Sequence, residues 1–469
     1  MRLILFTSLL LASTAASAQT ADEWHQRGRE IFEASIEIPT VQGRGQMDEM
    51  VTYLRGLLEP AGITDITVHD HGADYGGTQS MVIRWPAAEP SGEKAIILLA
   101  HMDVVEALPA DWSRDPFTFA EEEGYFYGRG TSDDKQGVVA ITTALLRLRA
   151  EGFRPTRDII VLFTGDEETV QEGAELAVTR WLDLSTIEYA LNADAGGGAM
   201  LPSGQMVGFG IQTSEKTYQS FTFTATNPGG HSSRPRPDNA IYDLADTLTR
   251  LENHRFEPRL NETTRGYFTA VADLQTPEVR AAIARWLADE NDGEAADIIE
   301  AAPTETGMTR TRCVATRLEG GHADNALPQM ARATVNCRMF PGTDPAALLA
   351  ELRAIAAPSN VAVEPVLPAR PSDPSPLRED VVDAYTDSVR RFHPDVRIVP
   401  NMSTGATDGL FFRQAGVPVY GIEASWGVTP TDERAHGRDE RIPVRAFYEN
   451  IDHWTYMIRR LAGGGEEAQ

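Results

Sequence analysis

Apolar side chains recur at helical spacing from about residue 21 to 58, and beyond them short β-rich runs alternate with helical ones. Residues 95–100, Ala-Ile-Ile-Leu-Leu-Ala, are apolar at every position, the pattern of a strand buried on both faces. A second strand, apolar from Ile159 to Phe163, is predicted over 158–164. Between the two lies a helical pattern from about 137 to 150, which Gly152 can terminate. Strand, crossover helix and strand make a βαβ unit, so the predicted class is α/β with a mostly parallel sheet flanked by helices. A further buried strand, 189–192, ends just before Asp194.

The pattern changes after Gly210. Residues 217–226 alternate as a half-exposed strand, and 239–251 follow as an amphipathic helix. The span from about 255 to 309 is helix-rich and acidic and reads as an insertion. Strand-like runs at 312–318 and 331–339 and a helix over 345–356 complete a second, α+β unit that ends near residue 366. Pro365, Pro368, Pro371, Pro374 and Pro376 then make a rigid linker back to α/β sequence. The expected organisation is a large domain in two parts, 19–214 and 368–469, with an inserted domain at 215–367 that carries the helical insertion at about 255–309. A chain of 469 residues suits two domains.

Residues 1–18 stand apart. Met1-Arg2 precedes an apolar run from Leu3 to Ala12, and the small residues up to Ala16-Ser17-Ala18 fit an A-x-A cleavage site. A signal peptide cleaved after Ala18 is expected, with the mature protein periplasmic or secreted. The apolar run is shorter than the roughly 20 residues that span a bilayer, so no membrane association is expected after cleavage. The formal charge of −27 disfavours nucleic acid or an anionic membrane surface as a partner. Cys313 and Cys337 lie in strand-like runs that read as antiparallel neighbours. In an oxidising compartment this predicts a disulfide between them, with two buried thiols as the other reading.

Candidate chemistry gathers at strand ends, where open parallel sheets hold their ligands. The strand 95–100 runs into His101-Met102-Asp103. The loop Tyr127 to Lys135 puts Asp133 at the start of the crossover helix, where helix capping is the alternative explanation. The strand 158–164 leads to Asp166-Glu167-Glu168, adjacent carboxylates whose repulsion is costly unless a cation compensates. Asp194 is followed by Gly196-Gly197-Gly198, where the backbone must turn sharply or approach something closely. Together these point to a metal centre built from nitrogen and oxygen ligands, which suits zinc, with cobalt or manganese as alternatives. His436 lies far along the chain. His69 and His71 form an HxH pair that no motif supports and read as surface residues.

These motifs resemble the M20 metallopeptidases, the aminoacylase and carboxypeptidase G2-like zinc hydrolases. The matching segments are Ala100-His101-Met102-Asp103-Val104-Val105, Gly128 to Lys135, Asp166-Glu167-Glu168, Asn192-Ala193-Asp194, Gly229-Gly230-His231-Ser232-Ser233 and Ala435-His436-Gly437, in family order. The resemblance implies two zinc ions, with Asp133 bridging, Glu168 and His436 completing one site and His101 and Asp194 the other. It also implies that Asp103 orients His101, that Glu167 is the general acid/base, and that His231 helps hold the oxyanion. Asn325 and Arg338 fall at positions that look like substrate contacts, and Arg338 could fork a carboxylate. The inserted domain would act as a lid and as a homodimer contact. The substrate class implied is a small peptide or an N-acyl amino acid.

Two departures accompany the resemblance: Glu106 stands where proline is common, and Gln136 intervenes between Lys135 and Gly137. A non-peptide amidohydrolase or deacylase of the same mechanism is an alternative reading. A periplasmic binding protein would share the export signal and hinged domains but would not need Glu167 beside five metal ligands. A two-metal phosphoesterase would need a basic cluster, and none is evident in the sequence.

Overall fold

The computed structural model describes residues 20–302 and 305–464, so the expected signal segment 1–18 lies outside the described residues. An eight-stranded sheet runs in the order Asp65–His71, Thr78–Trp85, Ile159–Thr164, Ala95–His101, Ile187–Met200, Val419–Val428, Met206–Glu215, Ile398–Ser403. Its central pairings are parallel, and the first two strands add antiparallel at one edge. The strands Ala95–His101 and Ile159–Thr164 are buried at every residue, as continuous apolar runs require.

Helices cover both faces. On one face Lys135–Ala150 lies against the sheet beneath Ala21–Ile36 and Val444–Ala462, which accounts for its burial on nearly all sides. Phe32 stacks on Phe447 there with ring centroids 4.4 Å apart, and both belong to the largest apolar core. On the other face Ile97, Leu99 and Leu162 pack with Phe412.

The strand expected at 189–192 extends over Ile187–Met200 because its glycines allow close approach. A Cβ on Gly196 would lie 2.7 Å from the Gly421 carbonyl oxygen, and one on Gly198 would lie 2.7 Å from the Phe209 ring. The strand Met206–Glu215 carries no apolar signal at its end, since Gln212, Thr213, Ser214 and Glu215 are all buried polar residues. Only Lys216 separates it from Thr217–Thr226, so one continuous run crosses from the large sheet to a second one.

That second sheet is antiparallel, in the order Arg312–Gly320, Met330–Met339, Thr217–Thr226, Ala362–Pro365. Helices Ala240–Asn253 and Pro345–Ala356 cover one face through Leu244, Leu348 and Leu352 against Phe221, Phe223 and Val335. Cys313 and Cys337 are register partners and form a disulfide. The helices Glu262–Val271, Pro277–Ala288 and Gly293–Glu300 share a core in which Phe268, Ile283 and Trp286 pack with Met402 of the large sheet's edge strand. Arg397 ties to Asp273 at 2.6 Å, so the insertion clamps that edge as well as adjoining the small sheet. The proline-rich segment is docked too: Ser375 donates its N–H to the Thr213 carbonyl at 2.8 Å, and the Tyr420 hydroxyl donates to the Pro376 carbonyl at 2.8 Å.

The disulfide closes a loop of 24 residues, and loop-closure entropy assigns it about 3 kcal/mol. Replacing both cysteines by alanine should lower the unfolding free energy by about that amount in a denaturant titration.

Candidate metal centre

The sheet order places the ends of Ile159–Thr164 and Ala95–His101 beside the middle of Ile187–Met200, where Asp194 lies, with His101 on the central strand of the three. The His101 Nε2 atom lies 2.9 Å from Asp133 Oδ1 and 3.6 Å from Asp194 Oδ1. On the far side of Asp133, His436 Nε2 is 3.1 Å from its Oδ2 and 2.9 Å from the Glu168 carboxylate. Asp133 thus stands between two imidazoles, one oxygen to each. The ligand atoms of His101, Glu167 and Asp194, and separately those of His101, Asp133 and Glu168, lie within 4.8 Å of one another.

Surrounding residues hold this arrangement. His101 Nδ1 lies 2.9 Å from the backbone carbonyl of Asp103 and 3.5 Å from its carboxylate. The two Asp103 carboxylate oxygens accept the N–H groups of Glu167 and Glu168, each at 3.1 Å. Asp103 therefore fixes His101 mainly through its main chain and fixes the acidic loop through its side chain. Asp166 accepts the N–H groups of Glu172 at 2.7 Å and Gly173 at 3.1 Å. His71, expected at the surface, is buried beneath that loop, with Nδ1 3.6 Å from Asp166 and Nε2 2.7 Å from the Ser80 hydroxyl. His69 stacks on Trp181 with centroids 4.1 Å apart. The apolar cover of Trp181 and the packing of the 166–173 loop bury His71, and no motif spacing signals either.

Glu440 is the main brace that sequence reasoning missed. Fully buried, it accepts the N–H groups of Ser132 at 2.7 Å, Asp133 at 3.1 Å and Gly130 at 3.2 Å, and it pairs with Arg129 at 2.5 Å. Arg129 also donates to the Gly437 carbonyl at 3.0 Å. Arg129 and Glu440 thereby tie the loop carrying Asp133 to the loop carrying His436. A glutamate four residues beyond His436 was the available signal. Lys135 is buried and donates to the carbonyls of Ser35 at 2.8 Å and Ile38 at 2.6 Å, and burial pulls its ammonium down to about 7.

Carboxylates outnumber cations here. Burial pushes Glu167 and Asp408 well above the usual carboxylate range, with the charge of Asp194 adding to it at Glu167 and a hydrogen bond from Thr164 opposing it at Asp408. Burial likewise raises Asp194 to about 6 and Glu423 to about 8. Asp133 is the exception: burial raises it, but hydrogen bonds and charge from His101 and His436 outweigh burial and hold it low. Hydrogen bonds to Asp133 and Glu168 raise His436 to about 10. Buried carboxylates converging on oxygen and nitrogen donors fit divalent cations, which would relieve the surplus negative charge.

The other expected residues lie elsewhere. His231 is exposed on a two-stranded ribbon, Gly230–His231 against Ala326–Leu327, and its Nδ1 accepts the Ser233 N–H at 3.2 Å. Asn325 adjoins it, its carbonyl accepting the Ser232 N–H at 3.0 Å. Among the described residues neither bonds to the centre. Arg338 stacks its guanidinium 4.9 Å from the Tyr218 ring centroid. Of the two departures, Glu106 pairs with Arg44 at 2.5 Å near the surface, whereas Gln136 enters a buried network. It donates to Glu423 and accepts from Asn450 at 2.6 Å.

The profile of peptidase family M20/M25/M40 matches residues 97–460. The chain is 28% identical over 452 residues to the human N-fatty-acyl-amino acid synthase/hydrolase PM20D1, an alignment covering 92% of this chain and 87% of that protein. Among solved structures, the dipeptidase Dug1p of Saccharomyces cerevisiae superposes with a TM-score of 0.66 at 15% identity, covering 95% of this chain and 98% of that one. The Bacillus subtilis YXEP protein, a dinuclear metal-binding peptidase, gives 0.59 at 15% identity, covering 94% and 99%.

Truncating Glu440 would strand the Arg129 guanidinium without its counter-charge. Glu440→Ala should therefore cost about 3–5 kcal/mol in urea unfolding. Glu440→Gln, which keeps one acceptor oxygen, should cost less.

Proposed function

Because the chain belongs to peptidase family M20/M25/M40, a family of hydrolytic enzymes, we propose that it uses two zinc ions to hydrolyse the amide bond of a small peptide or an N-acyl amino acid. The observation that carries this reading is the position of Asp133 between His101 and His436, with Asp194 beside His101 and Glu168 beside His436. One carboxylate with an imidazole at each of its oxygens is the arrangement a bridging ligand needs. In this reading His101 and Asp194 hold one ion, Glu168 and His436 hold the other, and Asp133 serves both. The substrate class is supported by the names of the relatives, which include an N-fatty-acyl-amino acid hydrolase and a dipeptidase.

Bound zinc would supply Lewis acidity that lowers the pKa of water toward neutrality and stabilises the developing oxyanion. Glu167 is the group left to move the proton: it takes it from the attacking water and delivers it to the leaving amine. Gln171 donates to Glu167 Oε1 at 2.7 Å and keeps the carboxylate oriented. Asp103 positions both Glu167 and His101. His231 and Asn325, on the lid ribbon, would reach the substrate when the lid closes over it.

Two further assignments go with this reading. The disulfide supports export, because such bonds persist in oxidising compartments. The strand Arg312–Gly320 is an open sheet edge displaying Val314 and Leu318, which supports homodimerisation through the lid.

Elemental analysis of Glu167→Gln should find about two zinc per chain, while hydrolysis of a dipeptide and N-acyl amino acid panel falls by roughly 100-fold or more. Asp133→Ala should lose metal as well as activity. Equal metal loss in both variants would remove the role given to Glu167. Chelation of the wild type should abolish cleavage, and zinc should restore it.

A further inference from the structure

Glu123, Gln171, Asn360, His436 and Asp439 are the residues other than glycine with positive φ among the described residues. Left-handed backbone crowds a Cβ against the following carbonyl, a cost that glycine avoids. Glu123 shares with Gly124 the tight turn between the strands Ala120–Glu122 and Tyr125–Tyr127, where both central residues need this conformation. Asn360 ends a short helix, and asparagine and aspartate tolerate the left-handed region. His436 belongs to the metal centre. Gln171, at φ 54° and ψ 28°, is neither a turn-forming residue type nor a ligand.

The main chain around Gln171 is fixed at both ends. Asp103 accepts the N–H groups of Glu167 and Glu168, and the Asp166 carbonyl accepts those of Thr169 at 3.2 Å and Gln171 at 2.9 Å. The Asp166 carboxylate then takes the N–H groups of Glu172 and Gly173. Gly173 cannot move aside, since a Cβ there would stand 2.7 Å from both Asp166 Oδ1 and the Ser80 hydroxyl. These bonds impose a left-handed residue at position 171, and glycine would meet that demand with the least strain. Glutamine adds one interaction: its Nε2–H group donates to Glu167 Oε1 at 2.7 Å. The amide makes no other hydrogen bond among the described residues, so the loop itself has no use for it. Strain that its surroundings over-determine, beside reacting groups, points to function.

The terminal torsion of a glutamate is broad and two-fold, so a free carboxylate presents either oxygen. One carboxylate oxygen of Glu167 lies within 4.8 Å of the ligand atoms of His101 and Asp194. We propose that Gln171 is a positioning residue whose amide occupies Glu167 Oε1, so that Oε2 alone carries the proton. This rests on the amide-hydrolase reading above. An O–H bond of the attacking water breaks as its oxygen bonds to the scissile carbon, and the proton goes to Oε2. The same proton then passes to the leaving nitrogen as the C–N bond breaks, and Glu167 is again a carboxylate. A proton placed on an oxygen turned away from the centre could not make the second transfer, which is the loss that the Gln171 amide prevents.

The test uses Gln171→Gly, which relieves the backbone and removes the amide, and Gln171→Met, which keeps the length and removes the amide alone. Both should lower kcat by about tenfold and leave KM and zinc content unchanged, because Gln171 touches neither substrate nor metal. The glycine variant should melt at or above the wild-type temperature, so that its loss of turnover cannot come from unfolding. Crystal structures should show one Glu167 carboxylate orientation in the wild type and more than one in Gln171→Met. A kcat within about twofold of wild type in both variants, or zinc loss in both, would overturn the positioning role. An unchanged Glu167 in the methionine variant would do the same, and a glycine variant that melts well below wild type would overturn the strain assignment. If the wild type cleaves no amide, the hydrolase reading fails, while the melting and crystallographic comparisons still decide whether Gln171 holds Glu167.

Discussion

Everything around the centre is arranged to hold like charges close together. Asp133, Glu167, Glu168 and Asp194 converge on two imidazoles at the ends of parallel strands, and their mutual repulsion inside a buried cleft would scatter them if each were free to move. The protein answers with oriented backbone. Asp103, Asp166 and Glu440 are themselves carboxylates, yet each accepts main-chain N–H groups, Asp103 and Glu440 from a neighbouring loop and Asp166 from its own. Anions thus fix the loops that present other anions, which raises the negative charge of the region and sharpens its demand for cations.

This arrangement depends on the strand order. His101 lies on a strand between those leading to Glu167–Glu168 and Asp194, so three ligand-bearing segments meet without long excursions. Asp133 enters from the start of the crossover helix, which is held down by the buried Lys135 ammonium on two carbonyls. His436 alone comes from a distant loop, and the Arg129–Glu440 pair anchors that loop to the one bearing Asp133. A buried ion pair is a weak source of stability in itself. Here its role is geometric, since it connects two segments more than 300 residues apart.

Elements whose apolar period is unambiguous were legible in the sequence. The helix over 345–356 and the strand over 217–226 appear at the expected residues, and the strands 95–100 and 158–164, built on apolar runs, shift by at most one. The strand Met206–Glu215 was not legible, because a strand whose end is buried and polar has no hydrophobic period to detect. Ligand-type residues at strand ends were readable because carboxylates beside apolar runs are conspicuous. The braces were not: Glu440, His71 and Gln136 are ordinary polar residues until the fold buries them. The insertion's contact with the large sheet depends on Met402 and Arg397, which nothing local distinguishes.

The same reasoning explains why a basic cluster escaped notice. Lys216, Arg312 and Arg338 are separated by up to about 120 residues and come together only because one strand crosses between sheets and another pairs through a disulfide-locked register. The centre concentrates negative charge and thereby calls for metal, while Lys216, Arg312 and Arg338 gather at a cavity of the small domain with Glu300 as their nearby counter-charge.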